Sequence, residues 1–328
     1  MKKRKEFAAI LTGAAVFLLC VSLAAAVLIP PRTCYGVNWK SYRLEEKDSL
    51  DVLFFGSSVV YCDIIPSEIY RESGLGSYIV SGPEQTMPIS YYYVRNALRT
   101  QSPQAVVLEL SGMFFRRYQD YTLANLSYMP YGADRVSAAL RTAEPERRAG
   151  LLLPILDYHD RWYSVTLTEA RQSLFPESDP LCGYTFLSES SPQTLSSYRE
   201  RVDIEAYELA LGYLRDISGL CSEHGAKLIL YLAPAMTRPD PDDLDMLMRD
   251  LESVQYDAFR DFGSTEPEGI DNNTDWFDPL HFNYPGAVKF SRLFADFITD
   301  CGIVSGNADP GLWRSRCEYS DALWNDAV

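Results

Sequence analysis

Apolar positions between residues 48 and 302 follow two alternating patterns. Continuous runs at Asp51–Phe55, Tyr78–Val80 and Ala105–Leu110, and again in "KLILYLAP" from Lys227, predict strands covered on both faces, because such strands lose the in-out alternation of a half-exposed sheet. Stretches with helical spacing separate these runs. In residues 203–224, Tyr207, Ala210, Leu211, Leu214, Ile217, Leu220 and Cys221 form one stripe. Asp203 is placed to cap that helix and Gly225 to end it. "ISYYYVRNALRT" after Pro88 and the amphipathic stretch entered through Pro285-Gly286 predict two further helices. Strand and helix in alternation give an α/β fold, doubly wound around a mainly parallel sheet.

Four segments flank or interrupt this rhythm. Lys2, Lys3, Arg4 and Lys5 precede an uncharged stretch from Phe7 to Ile29, which is long enough to cross a bilayer at about 1.5 Å per residue. The basic flank keeps the N-terminus in the cytoplasm and the rest of the chain outside. The small residues Ala24–Ala26 also suit a cleaved signal peptide, but the apolar stretch exceeds a usual signal core, so residues 1–30 read as a single-pass anchor. Residues 31–47 mix charge with proline and read as a juxtamembrane linker, so that the folded domain spans 48–302. Within it, residues 113–200 are rich in Tyr, Ser and Pro with one good helix candidate at 133–143, an insertion over the C-terminal edge of the sheet. Residues 303–328 read as a tail with Trp313 and Trp324 as anchors.

Charge narrows the partners. The chain holds 30 basic and 45 acidic residues; residues 1–30 account for four and one of them, leaving 26 against 44, a net charge of −18 on the exported part. Such a surface repels polyphosphates, which argues against nucleic acid. Six cysteines lie beyond residue 30, too few in so long a chain for a disulfide scaffold. Cys301 and Cys317 are spaced to tie down the tail. The three histidines lie far apart and no metal or cofactor motif occurs.

The candidate chemistry sits at the two ends of the domain. The first predicted strand runs into Gly56-Ser57-Ser58, and the last helix is preceded by Asp278-Pro279-Leu280-His281. A glycine allows a tight turn, and a helix starting after Ser58 aims backbone N–H groups at a developing oxyanion. In the Asp-x-x-His pair the carboxylate orients one imidazole nitrogen and leaves the other as a base. In a parallel sheet both loops reach the same C-terminal edge.

These residues resemble the SGNH (GDSL-like) hydrolase superfamily: Gly56-Ser57-Ser58 its Gly-x-Ser block, Ser81-Gly82-Pro83 its glycine block, and Asp278 to His281 its Asp-x-x-His block. The resemblance spans most of residues 50–300. Ser57 stands where the superfamily usually has an acidic residue, as in its membrane-anchored branch, which includes D-alanyl-lipoteichoic acid transfer and alginate O-acetyltransferase accessory proteins. The third block, Gly-x-Asn-Asp, is absent, and Ser111-Gly112-Met113 occupies its place. The resemblance implies a three-layer flavodoxin-like fold. It also implies a triad of Ser58, His281 and Asp278, with the oxyanion held by the Ser58 and Gly82 amides, either alone or with Ser111 standing in for asparagine. It further implies O-acylation of a cell-surface polysaccharide or other glycan beside a membrane-bound O-acyltransferase. A carbohydrate esterase and a non-catalytic binding scaffold are the rival readings. His159, Arg161 and Trp162 in "YHDRW" read either as lining of an acceptor cleft or as packing within the insertion.

Overall fold

The computed structural model describes every residue except 1, 31–34, 195–196, 264–268 and 328; Cys34 and the start of the expected linker lie outside the described residues. The first helix, α1 (Lys2–Leu28), is long and apolar enough to cross a membrane from Arg4 to Leu28. The expected linker is more ordered than its composition indicates. Asn38 caps a short helix, α2 (Trp39–Tyr42), by accepting from the Lys40 and Ser41 amides. Trp39 meets Tyr93 edge to face at 4.9 Å, and the Tyr42 hydroxyl donates to the Ala97 carbonyl. Val37, Trp39 and Tyr42 are buried, so the packed domain begins near residue 37 and not at 48.

The sheet is built as the apolar runs predict, with ends shifted by one residue. It comprises β1 (Val52–Phe55), followed by helices α3 (Ser58–Asp63) and α4 (Pro66–Ser73); β2 (Ser77–Ile79), followed by α5 (Met87–Ala97); and β3 (Ala105–Glu109). The insertion then carries α6 (Thr122–Tyr128), α7 (Ala133–Thr142), α8 (Arg148–Leu152), α9 (Ile155–Tyr158), α10 (Leu167–Leu174) and a short strand β4 (Ser197–Tyr198). It is therefore largely helical only between Thr122 and Leu174. Its helices are short and held by local signals, such as the capping box between Thr166 and Glu169, and not by a long apolar stripe. The chain returns through α11 (Ile204–His224), β5 (Lys227–Leu232), β6 (Thr237–Arg238), α12 (Pro241–Leu251), β7 (Ala258–Asp261), α13 (Tyr284–Asp300) and α14 (Pro310–Ala327). Asp203 caps α11 and Gly225 ends it in the left-handed conformation, as the sequence predicts.

The five main strands are all parallel in the order β2-β1-β3-β5-β7. Two hydrophobic clusters cover the two faces. Leu53, Phe55, Val106, Leu108 and Leu230 pack with α5 and α11, while Phe54, Val107, Ile229 and Tyr231 pack with α3, α4 and α13. The chain thus alternates faces residue by residue while every strand stays buried. Strand β7 escapes the apolar pattern because it is an edge strand with Arg260 and Asp261 in it.

Residues 303–328 contain the 18-residue helix α14. Trp313 is buried and stacks on Tyr70, and Trp324 stacks on Tyr284. The remaining buried positions of this helix are Arg316 and Ser320, which hid the amphipathic face from a hydropathy reading. Cys301 and Cys317 are free thiols, so no bridge ties this segment; a buried ion pair does, with Arg316 Nη2 at 2.6 Å from Glu45 Oε1. Replacing Arg316 by Met strands the Glu45 carboxylate in the interior and should cost about 3–5 kcal/mol. Adding Glu45→Gln should recover much of that loss. Urea unfolding of the detergent-solubilised chain checks both values, and a single variant as stable as the wild type would rule out this staple.

Candidate active site

In the observed strand order the chain reverses its direction of winding between β1 and β3, and ligands of open α/β sheets bind in the crevice at such a point. The residue after β1 is Gly56, at φ +145°, where a Cβ would lie 2.7 Å from both Glu109 Cβ and Val60 Cγ2. Only glycine suits that backbone and that close approach. Ser57 then occupies the N-cap of α3, and Ser58 opens the helix.

The other half of the site comes from the turn before α13. Asp278 Oδ1 accepts from the Leu280 and His281 amides at 2.8 and 2.9 Å, a closed turn that places the imidazole over its own carboxylate. His281 Nδ1 lies 2.9 Å from Asp278 Oδ2, and Nε2 lies 2.7 Å from Ser58 Oγ. A carboxylate only accepts, so the proton sits on Nδ1 and leaves Nε2 to accept from the serine. Burial pushes the Asp278 carboxyl upward, but the hydrogen bond and charge of His281 with the two amides outweigh it and hold the group below its ordinary value. The structure thus brings together Ser58, His281 and Asp278, which lie 223 and 3 residues apart in pairs.

Ser111 also reaches this edge, but in a different bonding state from the expected one. Its amide donates to Glu109 Oε1 at 2.8 Å and its hydroxyl to Glu109 Oε2 at 2.5 Å, while Ser57 Oγ lies 2.9 Å from Ser111 Oγ. Both Ser111 donors are consumed, so it has none to offer an oxyanion and instead accepts from Ser57. The Ser58 and Gly82 amides have no hydrogen-bond partner among the described residues. Gly82 follows β2, the other neighbour of β1. A side chain there would meet Asn125 Oδ1 at 2.3 Å, and Asn125 Nδ2 donates to the Pro83 carbonyl at 2.8 Å.

Three residues around the site went unnoticed in the sequence. Asp63 is fully buried, and its Oδ1 accepts from the amide of Phe282, next to His281, at 2.8 Å. Its other oxygen has no partner. Burial, reinforced by the charges of Asp278 and Glu109 against the pull of the Phe282 amide, pushes its carboxyl well above the ordinary value. Glu109 is likewise raised by burial, opposed by its two bonds from Ser111. Each is a lone acid inside an apolar run, "YCDIIP" and "VVLEL", and that was the available signal. Asn125 had none, since it lies in the insertion with no motif around it.

His159, Arg161 and Trp162 are not brought to Ser58. His159 contacts the Leu156 carbonyl and Asp160, Arg161 donates to the Leu28 carbonyl at the end of α1, and Trp162 is exposed against Tyr163. The acceptor-cleft reading of these three fails because α9, α10 and the turn between them pack on α1. A cavity of about 860 Å³ lies at that junction, away from the serine. Beside the serine is a pocket of about 40 Å³ lined by Val59, Glu109, Ser111 and Arg199 among others. Among the described residues no cluster of three or more His, Cys, Asp or Glu could hold a metal.

No family model and no curated protein matches the chain. Among solved structures it is similar to a protein of Bacteroides fragilis NCTC 9343 provisionally described as an acylhydrolase, with 12% identity over 80% of this chain and 94% of that one, at a TM-score of 0.37. The chemistry of the site therefore rests on its own geometry.

Proposed function

We propose that this domain carries an acyl group as an ester on Ser58 and hands it to a sugar hydroxyl of a cell-surface polysaccharide. The observation that carries the reading is the 2.7 Å contact of Ser58 Oγ with an imidazole whose other nitrogen is held by Asp278. In the first half-reaction His281 Nε2 takes the serine proton as Oγ bonds to the acyl carbon, and then passes that proton to the departing oxygen as the old ester bond breaks. In the second half the acceptor hydroxyl gives its proton to Nε2 and attacks the acyl carbon; Ser58 Oγ leaves and recovers a proton. The amides of Ser58 and Gly82 face the oxyanion. With α1 as a single-pass anchor, the domain works outside the cytoplasmic membrane, supplied by a membrane-bound O-acyltransferase. Water in place of the sugar makes the same machinery an esterase.

Asp63 supports this site in its neutral form. An ionised carboxylate with one oxygen unpaired in a dry interior is the costlier state, so the folded protein keeps the proton that the unfolded chain releases. Stability then falls as pH rises from the ordinary aspartate range toward the raised folded value.

Three outcomes follow from this chemistry. Intact-mass measurement after incubation with an activated acetyl ester should find an acetyl group on Ser58 of the wild-type chain and none on Ser58→Ala; equal labelling of both removes Ser58 as the nucleophile. Discharge of that ester by added sugars faster than by water marks transfer, and discharge by water alone marks hydrolysis. Asp278→Asn should lower turnover of the same ester by about 10³–10⁴-fold, since the imidazole loses the group that fixes its tautomer, and steady-state rates read this directly. In chemical unfolding at a series of pH values above about 4, the wild type should lose stability relative to Asp63→Asn by up to about 1.4 kcal/mol per pH unit. Parallel curves would mean that Asp63 is ionised in the folded state.

A further inference from the structure

The residues that the sequence offered for an acceptor cleft mark something else. Arg161 Nη1 donates to the Leu28 carbonyl at 2.6 Å, and Nη2 bonds Glu169 of the α10 capping box at 2.8 Å. A guanidinium thus satisfies a free carbonyl at the C-terminus of α1, where the helix dipole also favours it. Ala25, almost one turn earlier in α1, is buried, so the insertion packs about 5 Å below the end of the helix. The elements making this joint are α9, α10 and the turn His159–Tyr163 between them.

These elements and the residues flanking them leave large apolar side chains in the open. Leu153, Leu156, Trp162, Tyr163, Leu167 and Phe175 are exposed by 56, 53, 75, 74, 91 and 70% respectively. A face of this kind on a water-surrounded domain marks an interaction surface. Its position identifies the partner. If α1 spans the bilayer, Leu28 lies at the outer boundary, and Trp162 adjoins the residue bonded to Leu28. Tryptophan and tyrosine rings are enriched at that depth. A cleft of about 860 Å³ is lined by residues of the last turns of α1 and by Leu153 and Phe175 among others.

We propose that this face of the insertion is a second membrane contact, seated in the outer lipid interface beside α1, with phospholipid chains covering Leu167 and Phe175. The inference rests on the reading of α1 as an uncleaved anchor. It sets the orientation of the domain, because an anchor alone leaves the domain free to swing, whereas two contacts hold it in one pose over the lipid.

Tryptophan fluorescence of the full chain in phosphatidylcholine vesicles, with and without acyl-chain bromination, tests this. Trp39, Trp276 and Trp313 are buried, and Trp324 is common to wild type and Trp162→Phe, so the difference between the two spectra isolates Trp162. Brominated lipid should quench most of that difference, and aqueous iodide should leave it. Quenching by iodide with no effect of bromolipid would place the face in water, as for a surface reserved for a protein partner, and would overturn the proposal. Flotation separates the two readings: a chain that fails to float with the vesicles sinks the anchor and this face together, while a chain that floats with Trp162 in water sinks the face alone.

Discussion

The site depends on the close approach of β1 and β3 at their C-terminal ends. Gly56 lets the two strands come within contact of Glu109 Cβ, and that contact brings Ser57 and Ser111 into hydrogen-bond range across the crevice. A side chain at position 56 would push the strands apart and tilt α3, on whose first turn Ser58 rides. The chain Ser57–Ser111–Glu109 is in effect a polar weld at the base of the nucleophile. Two hydroxyls and one carboxylate make it, and each donor has an acceptor, which is the condition under which a buried polar network stiffens a fold instead of weakening it.

A serine at position 57 has a physical meaning in this light. A carboxylate there would reach Ser111, whose hydroxyl already bonds Glu109, and would bring two carboxylates together in a buried pocket. Serine avoids that repulsion and still supplies the hydroxyl that bridges to Ser111. The cost falls on the oxyanion side. Because Ser111 gives both donors to Glu109, the proposed acyl transfer relies on the backbone amides of Ser58 and Gly82, whose positions are set by the turn at Gly56 and by Asn125 holding the Gly82 loop.

The sequence made the sheet and the grouping of Ser58, Asp278 and His281 legible for one reason: both depend on short-range patterns. Continuous apolar runs follow from burial on two faces, and Asp278 and His281 are three residues apart on one turn. What stayed hidden depends on partners far away in the chain. The hydroxyl of Ser111 points where Glu109 directs it, which no motif states. Helix α14 buries Trp313, Arg316 and Ser320, so its packed face looks polar until Glu45 is seen opposite. Within the insertion the candidate at 133–143 is α7, but the other helices were missed although Thr166 and Glu169 spell a capping box, because a cap without a long apolar stripe is a weak signal. "YHDRW" reads as cleft lining or as packing within the insertion, and neither reading includes the bond of Arg161 to the open end of α1.

The acidic surface bears on how such a domain can lie at a membrane. Outside residues 1–30 the chain carries a net charge of −18, and an anionic leaflet repels a surface of that sign, so the polybasic contact used by many peripheral proteins is closed to it. Attraction has to be apolar, and α9, α10 and the turn between them, which pack on α1, carry exposed apolar side chains. The repulsion then has a constructive side. On the proposed lipid contact, one face is drawn to lipid and the rest pushed from it, which favours one tilt and one relation of the sheet edge that carries Ser58 to the bilayer.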